Sequence, residues 1–394
     1  MKVKPNERFF ALNESYLFAE TERRILSYIS ANPCERVIRL GVGDVTLPLP
    51  KAAVCAMKTA AEEMGDVGSF RGYPPYFGYG FLREAISRHY KRRGVSISFD
   101  EVFVSDGAKS DSFGIIDLFG DAPFLICDPA YPVYAEAATL AGKRVKYIGA
   151  SKENGFVPSP RGLTEEGAVV YLCSPNNPTG AAYGASALSE WVNWAARSGS
   201  LIIFDAAYES YISTDAPHSI FELDGARECA VEIGSLSKSA GFTGVRCSWT
   251  AIPKDIMLGG ARVSDMWGRI RSARSNGVSY ITQRGAEAAL SDAGYAEYMK
   301  NVAHYGENAK IISSALEKAG VFHTGGENSP YVWMECPRGL SSWEFFDYLL
   351  FSARVAGTPG AGFGKNGEGF FRLTGYASRA DTEEAAARLL HALS

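Results

Sequence analysis

The sequence predicts an α/β fold, with a mainly parallel, seven-stranded sheet between helices and a smaller α+β domain after it. Three observations carry this expectation. Short runs of continuous rather than alternating apolar residues recur between residues 101 and 252, as strands buried on both faces require. Helical patterns separate these runs, which is the order of βαβ units. The chain has 394 residues, 46% of them hydrophobic, which is ample for a buried core and too long for one ordinary domain.

Residues 1–44 read as an N-terminal arm that joins the small domain. Within it a helix is expected over Glu20–Ile29, where Ile25, Leu26 and Ile29 share a side. Val37–Leu40 reads as a short strand ending in the turn Gly41-Val42-Gly43-Asp44. The large domain, 45–285, holds the seven strands. They are Glu101–Val104, Phe124–Cys127 (stopped by Asp128-Pro129), Val145–Ile148, Ala168–Cys173, Leu201–Asp205, Cys229–Gly234 and Cys247–Ile252. Asp106-Gly107-Ala108-Lys109 opens a helix after the first strand, and a further helix spans about 186–197. The small domain, 286–394, begins with one long helical stretch, Ala286–Ala319. The strand Tyr331–Glu335, a helix near Trp343–Ala353, the strand Gly369–Leu373 and a terminal helix from about Thr382 follow.

Composition excludes several classes. With 21% charged residues and a net charge of −4, no basic run is long enough to track a polyanion. No apolar segment reaches the roughly 18 residues of a membrane span, and Met1–Asn6 leads into no signal-like core. A cytoplasmic location is therefore expected. The seven cysteines are scattered without a CxxC pair and read as reduced thiols. The five histidines form neither HExxH nor a Cys/His cluster, so no metal site is expected.

The segment richest in chemistry is Ser235–Arg246, where Lys238 stands between Ser237 and Ser239 in a glycine-punctuated turn. A lysine ordinarily titrates near about 10.4, so it acts as a nucleophile only where its neutral amine or a covalent imine is favoured. Hydroxyls beside it and the guanidinium of Arg246 suit a phosphate monoester. An aldehyde that carries such a phosphate is pyridoxal 5'-phosphate; taken alone, the segment reads equally as an exposed loop. Asp205 ends an apolar strand, where a buried carboxylate needs a partner. That partner is the protonated ring nitrogen of such a cofactor, a helix N-terminus or a buried cation. Ser174-Pro175-Asn176-Asn177-Pro178-Thr179-Gly180 is a turn stiffened by prolines, able to aim the Asn177 amide at a ligand oxygen that Tyr208 also reaches, or simply a turn. Gly107 permits close backbone approach, and the amides that follow it suit an anion. Tyr131, between Pro129 and Pro132, can stack on a flat ring or pack in the core. The GxGxxG match at Gly362–Gly367 is set aside, because a strand follows where a dinucleotide site needs a helix. It reads as a flexible loop beside the site. GxSxG and GxxxxGKS/T motifs are absent.

The order Asn177, Asp205, Tyr208, Ser235, Ser237, Lys238, Arg246 and Arg372 resembles the fold-type I, class I/II pyridoxal-phosphate aminotransferases over nearly the whole chain. Finer stretches, among them Leu40–Thr46, Phe70–Tyr73, Ser105–Lys109, Phe204–Glu209, Ser237–Gly244 and Ser275–Ser279, are similar to the branch that acts on diaminopimelate. That resemblance implies a homodimer with shared active sites and 2-oxoglutarate as the second substrate. Lys238 would hold the cofactor covalently, with Asp205 on the ring nitrogen, Asn177 and Tyr208 on the ring oxygen and Tyr131 stacked on the ring. Ala108, Lys109, Ser235, Ser237 and Arg246 would hold the phosphate, joined by the neighbouring subunit's Tyr73. Arg372 would clamp the substrate carboxylate. Tyr16, Gly43, Lys109, Tyr131, Asn177 and the partner's Asn276 would contact the amino acid, Asn276 reaching the cofactor as well. Two positions depart from that pattern. Tyr76 stands where the branch carries an acid that reads the distal ammonium, and Leu47 where it commonly carries arginine. A tyrosine keeps a hydrogen-bonding tip without the charge, which leaves lysine, ornithine or an aromatic amino acid as alternative donors. A lyase, a decarboxylase or a regulatory domain on the same scaffold would share the residues.

Overall fold

The computed structural model describes residues 2–12 and 17–393. Seven strands form the large sheet: β1 (Val102–Ser105), β2 (Phe124–Asp128), β3 (Val145–Gly149), β4 (Val169–Cys173), β5 (Leu201–Asp205), β6 (Ala230–Ser235) and β7 (Ser248–Ala251). Their order is β1-β7-β6-β5-β4-β2-β3. Pairings from β6 across to β3 are parallel, and β7 runs antiparallel to both of its neighbours. The α/β expectation of a mainly parallel seven-stranded sheet is met.

Period-two burial explains why the strand sequences are continuously apolar. Ile126, Tyr171 and Ile203 face one core, whereas Leu125, Val170, Leu172, Ile202 and Phe204 face another on the opposite side of the sheet. Edge strand β3 is the exception, exposing Lys146 and Tyr147. A lysine on an edge discourages pairing with a second chain. The α-helices of seven or more residues among the described residues are α1 (Leu17–Ala31), α2 (Lys51–Met64), α3 (Gly80–Lys91), α4 (Ala108–Gly114), α5 (Val133–Leu140), α6 (Ala185–Ser198), α7 (Val263–Arg274), α8 (Tyr280–Leu290), α9 (Asp292–Lys318), α10 (Ser342–Ser352) and α11 (Arg379–Leu393). Helix α6 covers the second face through Leu188, Trp191 and Ala195, and α3, α5, α7 and α8 cover the first.

A separate core forms around an antiparallel sheet of β8 (His323–Gly325), β9 (Tyr331–Glu335), β10 (Thr358–Pro359) and β11 (Phe370–Thr374), in the order β8-β9-β11-β10. It takes in Ile25 and Tyr28 of α1 together with Phe345, Phe371 and Leu389, and Ile38–Arg39 pairs in parallel with Val355–Ala356. The N-terminal segment is thus built into the C-terminal core.

The single helical stretch expected over 286–319 is two helices. Ser291 leaves the helical conformation at ψ 164° and its hydroxyl accepts from the Gly294 amide, starting α9 afresh. The Gly362–Gly367 segment forms two short 3₁₀ turns followed by β11, so the dinucleotide reading has no helix to rest on.

Candidate active site

In this sheet the C-terminal ends of the parallel strands open toward the second core, where ligands of open α/β sheets bind. A cavity of about 660 Å³ lies there. Its lining includes Gly43, Ala108, Lys109, Tyr131, Asn177, Asp205, Tyr208, Ser235, Ser237, Lys238, Arg246 and Arg372, residues selected from the sequence. A surface cleft of about 850 Å³ between α2, α3 and α8 carries none of them.

Asp205 closes β5 and is buried. Burial pushes its pKa up, opposed by hydrogen bonds from the Tyr134 hydroxyl (2.6 Å) and the Ala207 amide (3.0 Å). Tyr134 is itself held by stacking on Tyr171 at 4.7 Å, and Tyr171 donates to the Ser112 carbonyl at 2.6 Å. Lys238 follows β6 and donates its Nζ to the Gly43 carbonyl. Burial lowers its pKa to about 8, against the pull of Asp44 and with the push of Arg372, Arg246 and Lys109. The Tyr208 hydroxyl meets that of Tyr331 at 2.8 Å. The Lys109 Nζ lies 5.8 Å from the centre of the Tyr131 ring.

The anion side is built from two strand ends. The Arg246 guanidinium donates to the Thr243 carbonyl at 3.0 Å and to Ser237 Oγ at 3.5 Å. Gly107, with φ +141°, presses its Cα against that guanidinium so closely that any Cβ would overlap Arg246. Arg246 itself sits at φ +70°, a sparsely populated region for a residue with a side chain.

Arg372 projects from β11 and is 1% exposed. It donates to Asn177 Oδ1 (2.6 Å) and the Gly41 carbonyl (2.8 Å), and the rings of Tyr331 and Phe363 lie 4.4 and 4.9 Å from it. Its Nε is buried without a hydrogen bond. A planar fork with a spare buried donor, beside the Lys238 amine, suits a carboxylate.

Three sequence-selected residues fall outside this group. Tyr16 lies outside the described residues. Tyr73 is 85% exposed, and Asn276 is exposed as well. Their segments meet, since Gly277 at φ +85° fits against the Pro74-Pro75 backbone. Sequence reasoning missed Tyr134, Tyr331 and Asp44. It also missed Tyr305 on α9, whose hydroxyl accepts from the Thr46 (2.7 Å) and Leu47 (2.6 Å) amides and so fixes the loop that presents Gly41 and Gly43. Among the described residues, no group of three or more His, Cys, Asp or Glu is placed to hold a metal ion, and no helix is long and apolar enough to cross a membrane.

The donor set fits a phosphorylated pyridine aldehyde: an amine of lowered pKa, a carboxylate kept dry at a strand end, and a guanidinium cradle that a Cβ at Gly107 would fill. A family model, aminotransferase class I and II, matches residues 35–389. The chain is 47% identical over 400 residues to the LL-diaminopimelate aminotransferase of Agathobacter rectalis, covering 98% of each. It is 47% identical over 409 residues to that of Prochlorococcus marinus, covering 98% of this chain and 99% of the other. The L,L-diaminopimelate aminotransferase structure from Chlamydomonas reinhardtii superposes with a TM-score of 0.94 at 38% identity, over 100% of both chains. The chain therefore belongs to the class I and II aminotransferases, which work with pyridoxal 5'-phosphate, and within them to the LL-diaminopimelate aminotransferase family.

Proposed function

We propose that the protein catalyses reversible transamination between LL-2,6-diaminopimelate and 2-oxoglutarate, giving glutamate and an amino-oxo acid that closes with loss of water to tetrahydrodipicolinate. The observation that carries the reading is the convergence of Lys238, Asp205 and Arg372 on one cavity. The cofactor supplies the electron sink for the bond broken at the substrate Cα. Lys238 Nζ, with its pKa brought down to about 8, is the base that takes the Cα proton and later returns one. Asp205 holds the proton on the ring nitrogen. Asn177 and Tyr208 orient the ring oxygen, and Tyr131 covers the ring. Ala108, Lys109, Ser235, Ser237 and Arg246 hold the phosphate. Arg372 holds the α-carboxylate, with Tyr16, Gly43, Lys109, Tyr131 and Asn177 around the amino acid. Tyr73 and Asn276 reach the site of a second copy, so that the working unit is a cytoplasmic homodimer. Residues 45–285, with the rest of α8 and the first half of α9 packed on the same core, form the cofactor body, and the N-terminal arm with the remainder of the C-terminal region forms the body that carries Arg372.

A second reading rests on Tyr76, 47% exposed on the same loop as Tyr73. Without the acidic group, the donor is lysine, ornithine or an aromatic amino acid. A panel with 2-oxoglutarate as acceptor decides between the two. LL-diaminopimelate is expected to be the best donor, whereas turnover of lysine with none of LL-diaminopimelate replaces the donor and leaves the reaction class. Full turnover by Lys238→Ala would overturn the role given to Lys238.

A further inference from the structure

Directly behind the anion cradle lies a buried polar cluster for which the mechanism has no use. Asp111 on α4, Ser105 at the end of β1 and Ser248 at the start of β7 are all fully buried. The Ser105 hydroxyl donates to Asp111 Oδ2. Ser248 Oγ lies 2.8 Å from the same oxygen and 2.6 Å from Ser105 Oγ. Ser248 Oγ also accepts from the Gly107 amide at 3.0 Å. Ser105 and Ser248 are direct partners in the antiparallel β1–β7 register. The cluster therefore ties together the two chain segments that form the cradle, Gly107–Lys109 beyond β1 and Arg246 just before β7. Arg271 Nη1 stands 3.8 Å from Asp111 Oδ1, and Arg271 Nη2 donates to the Val104 carbonyl. A full carboxylate is costly in such a place unless it is paired and bonded, and an apolar residue would fill the volume without that cost.

We propose that Asp111 is a positioning residue for cofactor binding. Through Ser248 it fixes the Gly107 amide, and through the contact of Gly107 with Arg246 it fixes the guanidinium, so that the cradle is set before a phosphate enters. The proposal rests on the pyridoxal-phosphate reading of the Arg246 side of the cavity. It concerns the phosphate alone, because the ring and aldehyde are held by other residues.

The test uses the full chain stripped of cofactor, as wild type, Ser248→Ala and Asp111→Asn, titrated with pyridoxal 5'-phosphate and with pyridoxal, which lacks the phosphate. The wild type binds the phosphorylated form more tightly. In both variants its Kd is expected to rise about tenfold, the size of one hydrogen bond serving a charged group. The Kd for pyridoxal stays within about twofold. A structural defect would weaken both ligands alike, so equal losses overturn the proposal, as does wild-type affinity for pyridoxal 5'-phosphate in Ser248→Ala. If Asp111→Asn fails to fold, Ser248→Ala decides alone, since it removes one buried hydroxyl and leaves the carboxylate with Ser105. A wild type that binds neither compound removes the pyridoxal-phosphate reading itself, and the proposal with it.

Discussion

Arg372 and Lys238 show how single side chains are set by what surrounds them. Arg372 uses one N–H on Asn177 and one on Gly41, keeps Nε unbonded, and is flanked by Tyr331 and Phe363. A lysine at this position retains the charge but loses both the fork and the stacking. Arg372→Lys is therefore expected to lower kcat/KM by about 10²-fold, mostly through KM, for the amino and the keto substrate alike. Steady-state kinetics in both directions measure this, and a loss confined to one substrate speaks against a shared carboxylate clamp. For Lys238 the sign of the pH dependence follows from burial. Its pKa is about 10.5 unfolded and about 8 folded, so the charged amine destabilises the fold. That cost is full below pH 8, fades between 8 and 10.5, and is gone above. Lys238→Met, compared with wild type as apoprotein, is expected to gain on the order of 3 kcal/mol at pH 7. The gain should shrink as pH rises through that window. Urea melts at pH 7 and pH 10 test it, and a difference that does not change with pH rules the argument out.

At the scale of elements, the break between α8 and α9 carries a second stability argument. Ser291 Oγ accepts from the Gly294 amide at 3.1 Å and donates to the Ala288 carbonyl at 2.6 Å, and a Cβ at Gly294 would overlap the Ala288 carbonyl oxygen. Ser291→Ala is expected to cost about 1 kcal/mol, as loss of an N-cap does. Gly294→Ala should cost more, about 2 kcal/mol, because backbone must move. Denaturant melts that rank the two the other way would show that the turn tolerates a Cβ. The same junction shows why the sequence misled here. Apolar residues recur at helical spacing on both sides of Ser291 because α8 and the first half of α9 pack on one core, so periodicity runs through the break and only the Ser-Asp pair marks it. The seven strands of the large sheet, β9 and β11 were legible to within a residue or so, because their runs are mostly apolar, whereas the short strands β8 and β10 were not read. Helices α2, α3, α5 and α7 were not read. Within the site, the residues at strand ends were legible because a parallel sheet brings those ends together. Tyr134 and Tyr331 were not, for their partners Asp205 and Tyr208 lie 71 and 123 residues away in the chain.

For the whole molecule, the cavity belongs to two cores at once, since Asp205 and Lys238 come from the sheet whereas Arg372 and Gly41 come from the second core. Contacts across this divide fix how the two stand. Asp128 at the end of β2 accepts from the Asn366 amide at 3.1 Å, and Arg372 of β11 donates to Asn177 Oδ1 beyond β4 at 2.6 Å. Tyr73 and Asn276 are exposed, and their segments meet through Pro74 and Gly277. In a dimer with two-fold symmetry each would reach the other copy's site, and this has a consequence that no single variant reveals. Lys238→Ala and Asn276→Ala chains are each expected to be nearly inactive as homodimers. Unfolded together in equal amounts and refolded, they form mixed dimers in which one site has lost both residues and the other keeps Lys238 from one chain and Asn276 from its partner. Half of the dimers are mixed and half of their sites are whole, so the mixture should recover about one quarter of wild-type activity. If Asn276 serves its own chain's site, each whole residue is paired with a broken one in every dimer, and the refolded mixture stays at the level of its inactive parents.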